Sequence, residues 1–209
     1  MTPGKRALDL GLALVLAVLL ALPLVILILV LLVAEGRPVF YVSERMRSPD
    51  RAFGLVKLRT MRPDPADSGV TGGDKAARMS RLHRMLRKTR ADEIPQLWNV
   101  IRGDMSLVGP RPPLRRYVEA YPALYAQVLK NRPGVTGLAS LAFADHEERI
   151  LARCTSAAET EAAYRRRCVP RKARIDLIYQ RRQSLCLDLR LIAETARRPF
   201  ARQGRPRRG

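Results

Sequence analysis

Aromatic residues are scarce in this 209-residue chain: Phe, Trp and Tyr make up 5% of it, with one tryptophan. That is thin for a protein that binds single strands by stacking bases on rings. Cysteine is equally sparse. Cys154, Cys168 and Cys186 form no CxxC pair, and an odd number does not make a disulfide framework. They read as reduced cytosolic thiols, and a zinc site is not expected. A phosphate loop is missing too, because "GGDK" lacks the GxxxxGK[ST] spacing. Acidic residues number 19 against 39 lysines and arginines, a formal charge of +20. Such an excess points to a polyanionic partner, either nucleic acid or an acidic membrane surface. The length suits one domain with appendages and allows a real core.

What is abundant is apolar sequence near the N-terminus. From Leu10 to Val33 there is no charged side chain. About 20 apolar residues cross a bilayer as a helix. A secretory signal has a shorter apolar region, about 7–15 residues, and no small-residue cleavage site follows. A retained membrane segment is therefore expected. Lys5 and Arg6 flank it on one side; Arg37, Arg45, Arg47, Arg51, Lys57 and Arg59 follow on the other. Positive loops stay cytoplasmic, so both ends read as cytoplasmic. Pro23 removes a backbone hydrogen bond in mid-segment and kinks a helix there. A bent, re-entrant helix satisfies both facts. A straight span with a tolerated proline is the other reading, and the residues alone do not choose between them.

Beyond this segment, "RPVFYV" (37–42) and "FGLVKLRTM" (53–61) predict short strands around a turn. Residues 62–75 read as a polar loop. Residues 75–90 predict a basic amphipathic helix with Met79, Leu82, Met85 and Leu86 on one face. His83, alone among cations, is expected on its solvated face. Ile94, Leu97, Trp98 and Ile101 predict a second helix, stopped by Gly103. Asp92 is placed as its N-cap with Glu93 in the first turn, the ordinary reading of an acid pair at a helix start. Pro95 is tolerated there, because first-turn amides have no partner within the helix. Pro110, Arg111, Pro112 and Pro113 make a stiff extended segment that suits a bidentate arginine grip on phosphate; a rigid connector or a polyproline ligand are its plain alternatives. "NRPGVTG" (131–137) predicts a tight turn. Helical patterns run from 113 to 130 and recur in "HEERILARC", "AAETEAAYRRR" and "SLCLDLRLIAET".

In this order the motifs resemble the bacterial sugar transferases, the monotopic phosphoglycosyl transferases. "KRALDL" precedes the apolar segment; "GRPVFYVSERM" and "FGLVKLRTM" follow; "LRKTRADEIPQLWNVIRGDMSLVGPRPPL" is the most specific stretch; "RPGVTGLASL" and "IYQRRQSLCLDLRLIAET" come after. The likeness covers about Lys5 to Thr195 and implies the minimal, single-domain form. It implies a mainly helical α+β fold: a Pro-kinked re-entrant helix in residues 1–36, and a small cytosolic catalytic domain in 37–196 with interfacial amphipathic helices and a β-hairpin. Residues 197–209 are then a basic tail, expected to be disordered.

The resemblance implies transfer of a sugar-1-phosphate from a UDP-sugar to polyprenyl (undecaprenyl) phosphate, with release of UMP. It places the work at the cytoplasmic face of the bacterial inner membrane, with Mg2+. Asp92 becomes the nucleophile and Glu93 its partner, and both are the expected metal ligands. Arg87 and Arg111 become phosphate-binding residues within a set that includes Pro110, Pro112, Lys57 and Arg59. Implied partners are donor, acceptor and anionic lipid, with a homodimer admitted and nucleic acid not. Three departures stand out. Leu22 replaces a serine before Pro23, Arg90-Ala91 replaces Ser-Leu before the acids, and "GLASLAFADHEE" (137–148) replaces a pattern with Trp-Ala-Gln and Gly-Arg. A membrane-tethered nucleic-acid-binding protein remains the alternative, motivated by the charge, though no groove-reading motif is present.

Overall fold

A computed structural model describes residues 1–62 and 78–201, with side chains through 198. The polar loop expected over 62–75 lies outside the described residues apart from Arg62. Helix α1 (Pro3–Glu35) opens on Thr2, whose Oγ1 accepts from the Lys5 amide at 3.3 Å, and on a proline, which needs no amide partner there. It continues as one helix through Pro23 to Gly36, where φ is +70°. Its apolar middle is uncovered: Val18, Leu19 and Leu22 are 67–78% exposed. Toward each end one side of the helix is covered. Ala13 packs with Val100 and Met105, while Leu31 packs with Leu58 and Leu86.

Strands β1 (Phe40–Met46) and β2 (Ala52–Leu58) form the expected antiparallel hairpin, Val42 opposite Val56. Helix α2 (Arg81–Thr89) starts at Ser80, a few residues later than its periodic pattern begins. His83 is not on its wet face. It is 1% exposed, its amide donates to Ser80 Oγ at 3.2 Å, and Ser80 N donates back to His83 Nδ1 at 3.5 Å. This reciprocal cap turns the imidazole inward, 3.8 Å from Glu35 at the end of α1.

Helix α3 (Gln96–Arg102) follows, and its Asn99 is 2% exposed. The Asn99 amide accepts from Val56 N at 3.1 Å and donates to Gly54 O at 2.8 Å, fixing α3 against β2. Next come β3 (Ser106–Val108), α4 (Arg115–Ala120), α5 (Pro122–Val128) and β4 (Gly134–Thr136). The turn expected at 131–137 thus contains a short strand. β4 pairs with β3 in parallel, a second sheet that local sequence does not announce. The approach is close: a Cβ on Gly109 would meet Arg132 O at 2.2 Å, and one on Gly134 would meet Gly109 N at 2.1 Å. Two glycines make the contact possible.

The chain then forms α6 (Leu138–Ala142), α7 (Ala144–Leu151), α8 (Ala157–Ala163), a π-turn over Tyr164–Cys168, α9 (Val169–Arg182) and α10 (Leu185–Ala201). Residues 197–201 of the expected tail are therefore helical; 202–209 lie outside the described residues. Arg198 explains the extension: it donates to Leu141 O at 2.7 Å and to Asp145 at 2.9 Å, tying the helix end to α6 and α7. Cys154, Cys168 and Cys186 are free thiols, the first two buried. One cluster of core residues joins α4, α5 and α9 around Tyr117, Val128 and Val169; another joins α1, α3, β3, α9 and α10 around Ala13, Val108 and Tyr179.

Candidate active site

Arg90, at φ +61°, ends α2 in the left-handed region. A 3-10 turn over Ala91–Glu93 follows, and α3 does not begin until Gln96. Asp92 is therefore not the N-cap of that helix. The turn has no side-chain cap, and the Glu93 amide bonds to Arg90 O at 3.0 Å instead. Backbone groups close the turn, so the Asp92 carboxylate is left to the cleft that it lines.

That cleft has a volume of about 610 Å3. β2 brings Lys57 into it, α2 brings Arg87, and the extended segment after β3 brings Arg111 and Pro112. Met46 N donates to Pro113 O at 3.0 Å and docks this proline run on β1. Pro110 is buried behind it, its carbonyl accepting from Gly134 N at 2.9 Å. Arg59 does not line the cleft. Its guanidinium donates to Glu35 O at 2.8 Å and Gly36 O at 3.0 Å, capping the end of α1. Pro23 lies on the exposed middle of α1.

The two acids differ. Glu93 is engaged: Arg90 Nε donates to it at 3.1 Å, and Arg111 Nη1 lies 3.8 Å away. Arg90 also donates to Val135 O at 3.2 Å, which anchors the clamp to β4. Asp92 is 7% exposed. Burial, and the like charge of Glu93, push its carboxyl up to about 6, against the pull of Arg87 and Lys57. Lys57 is pushed down to about 8 by burial and by Arg111, Arg45 and Arg87. Burial and Arg111 likewise bring Arg45 down to about 10. A protonatable carboxyl thus sits in a partly dry, strongly cationic cleft, the setting that perturbed functional groups favour.

Arg45, Arg90, Glu147, Tyr164, Lys172 and Asp176 also line this cleft. Sequence reasoning did not select them as site residues. Arg45 was visible only as a flanking charge and Arg90 only as a departure. The others come from helices remote in sequence, and nothing local marks them. Among the described residues no cluster of three or more metal-binding side chains occurs. Asp92 and Glu93 supply two carboxylates, which fits Mg2+, an ion held by one or two carboxylates together with substrate phosphates.

The architecture defines a class: a membrane-associated helical protein with an acid pair in an arginine-lined cleft. The chain belongs to the bacterial sugar transferase family, whose pattern matches residues 2–202. It is 32% identical over 169 residues to an uncharacterized sugar transferase of Bacillus subtilis, covering 81% of this chain and 73% of that one. It is 34% identical to a UDP-glucose:undecaprenyl-phosphate glucose-1-phosphate transferase of Xanthomonas campestris pv. campestris, over 76% of this chain and 31% of the relative. A UDP-N-acetylgalactosamine-undecaprenyl-phosphate N-acetylgalactosaminephosphotransferase of Aeromonas hydrophila is 31% identical, over 66% of this chain and 33% of its own. The chain thus spans about a third of the length of these last two proteins. The nucleic-acid alternative finds no support in these relatives.

Proposed function

We propose that the protein transfers a sugar-1-phosphate from a UDP-sugar to polyprenyl phosphate, specifically undecaprenyl phosphate, releasing UMP and initiating an exopolysaccharide or other surface glycoconjugate. One observation carries this reading: a buried Asp92 carboxylate that caps no helix lines a cleft shared with Lys57, Arg87 and Arg111. An Asp92 oxygen attacks the phosphorus attached to the sugar. A P–O bond forms to the carboxylate, the bond to the bridging oxygen breaks, and UMP leaves with that electron pair. An oxygen of the lipid phosphate then attacks the same phosphorus and releases the carboxylate. Lys57, Arg87 and Arg111 bind phosphate oxygens and stabilise the charge that develops on them. Glu93, held by Arg90 and Arg111, keeps the turn in place. Asp92 and Glu93 would hold Mg2+, whose charge offsets the repulsion between a carboxylate and a diphosphate.

The anchoring of α1 supports a monotopic topology. Near its start, Arg6 donates to Val100 O at 2.7 Å and Asp9 accepts from Leu107 N at 3.1 Å. Near its end, Arg59 grips the Glu35 carbonyl and Leu31 meets Leu58. Asp9 and Glu35 are separated by about 40 Å of helix, more than the hydrocarbon core of about 30 Å. A straight crossing would put one anchor in the wrong compartment. We therefore infer a monotopic protein of the inner membrane whose apolar segment enters and leaves on the cytoplasmic face, with Pro23, which has no amide hydrogen to give the helix, as the point where it would bend.

The decisive assay supplies UDP-sugars, undecaprenyl phosphate and Mg2+ and measures UMP. Parent protein releases UMP and, without acceptor, retains labelled phosphosugar on residue 92; Asp92→Ala does neither. Full turnover by Asp92→Ala would exclude the nucleophile.

A further inference from the structure

Beside the acid pair and its cations, the same cleft is lined by a hydrogen-bonded group of different chemistry. α7 contributes Glu147, the π-turn Tyr164, α9 Lys172, and β1 Arg45. Lys172 is 7% exposed; its Nζ donates to Glu147 Oε2 at 2.8 Å and to Tyr164 Oη at 3.4 Å. The ammonium also lies 5.3 Å from the centroid of the Tyr164 ring. A charge pair largely withdrawn from water gains little stability over an apolar pair unless its remaining hydrogen-bonding capacity is used. Arg45 adds a sharper sign. Its buried Nε has no hydrogen-bond partner among the described residues. Arg45 lines the cleft, and a buried donor without an acceptor there calls for an oxygen from outside the chain, of water or of a ligand.

The two groups of lining residues suit different parts of one donor. Around Asp92 the side chains are Lys57, Arg87 and Arg111, which fit phosphate oxygens. The other group combines acceptor, donor and hydroxyl: Glu147, Lys172 and Arg45, Tyr164. A sugar ring is neutral and presents hydroxyls that both give and accept hydrogen bonds. A nucleobase instead favours an open aromatic face. Here the ammonium of Lys172 covers Tyr164, and Tyr117, with its ring 5.3 Å from that of Tyr164, is 3% exposed. Arg111 is shared by both groups of residues, since Glu93, Glu147, Tyr164 and Asp92 all act on its guanidinium.

We propose that Arg45, Glu147, Tyr164 and Lys172 form the wall that contacts the sugar ring of the donor and sets which UDP-sugar is used. The inference rests on the function proposed above. Its test takes the full chain in detergent with undecaprenyl phosphate. kcat/KM is measured for UDP-glucose, UDP-galactose, UDP-N-acetylglucosamine and UDP-N-acetylgalactosamine, and inhibition by UMP is measured in parallel. Glu147→Gln and Tyr164→Phe are expected to change the ratio between the best and second-best donors by about tenfold or more, as loss of a hydrogen bond to a charged group does. UMP inhibition is expected to stay unchanged. Should Glu147→Gln leave Lys172 unpaired and fail to fold, the double variant Glu147→Gln/Lys172→Met removes both charges, and Tyr164→Phe gives the same readout. An equal loss for all four donors with the ranking kept overturns the proposal and makes the pair a strut between α7 and α9. UMP inhibition that weakens with the donors also overturns it, and moves the nucleoside to this wall. A parent protein that releases UMP from no donor overturns the function itself, a result distinct from an active parent with an unaltered ranking.

Discussion

Asp92 and Glu93 are adjacent carboxylates with separate duties. Arg90 and Arg111 hold Glu93, whereas Asp92 remains in the cleft with its proton bound more firmly than in water. The raised value sets the sign of a stability effect. The folded state binds this proton more tightly than the unfolded chain, so stability falls as pH rises from about 4 through about 6. Above that window, a rise from 3.8 to about 6 corresponds to about 3 kcal/mol. In metal-free protein, Asp92→Asn is expected to resist urea better than the parent near neutral pH, by up to about 3 kcal/mol. The difference should vanish below about pH 4, where both states are protonated. The same substitution should abolish UMP release, a trade of stability for function. Mg2+ should raise the melting temperature of the parent and leave that of Asp92→Asn unmoved, because an ion that binds only the folded site stabilises it. An equal shift in both proteins would place the ion elsewhere.

Among the elements, the parallel pair β3–β4 helps to place Arg111, for which we propose a grip on phosphate. Arg111 leaves β3 two residues after Gly109, whose Cα lies against the backbone of 132–134. Gly109→Ala must push these strands apart. A displacement of about 1 Å at Arg111 costs up to 10²-fold in rate. The variant is expected to bind UDP-sugar and turn over about that much more slowly, with lower stability in urea. Unchanged kcat would show that the segment is held by β1 alone. Local pattern could not supply this pairing. "RPGVTG" reads as a turn because Pro and Gly punctuate chains; part of it becomes a strand only because 106–108 lies beside it. His83 went inward for a related reason. Its neighbours along the helix are cations, but the end of α1 covers its ring.

For the whole molecule, the anchoring of both ends of α1 to one body predicts a shared side. Cys186 is the one exposed native thiol among the described residues, and Cys186→Ser clears the background. Single cysteines at Gly4, which has open space around it, and at exposed Arg37 then report the two ends. An impermeant maleimide should label both in inside-out vesicles and neither in right-side-out ones. Labelling of Gly4→Cys only from the periplasmic side would mean a complete crossing. The charge of +20 fits this picture. Basic residues near a bilayer gain about 1 kcal/mol each from anionic lipid, so the composition needs no nucleic acid.

The amino-acid sequence by itself determined the membrane segment, the hairpin of 40–58, the acid pair and the stiff Pro-Arg-Pro run. Each depends on hydropathy, strand-forming runs, charge type or proline geometry within a short window. Only the tertiary structure decided which acid is committed, that Asp92 caps no helix, that Arg59 caps α1 instead of lining the cleft, and that Arg45, Glu147, Tyr164 and Lys172 share it with Asp92. Those outcomes depend on segments more than a hundred residues apart, such as those of Arg45 and Lys172, meeting at one cleft, and on burial, which no local window contains.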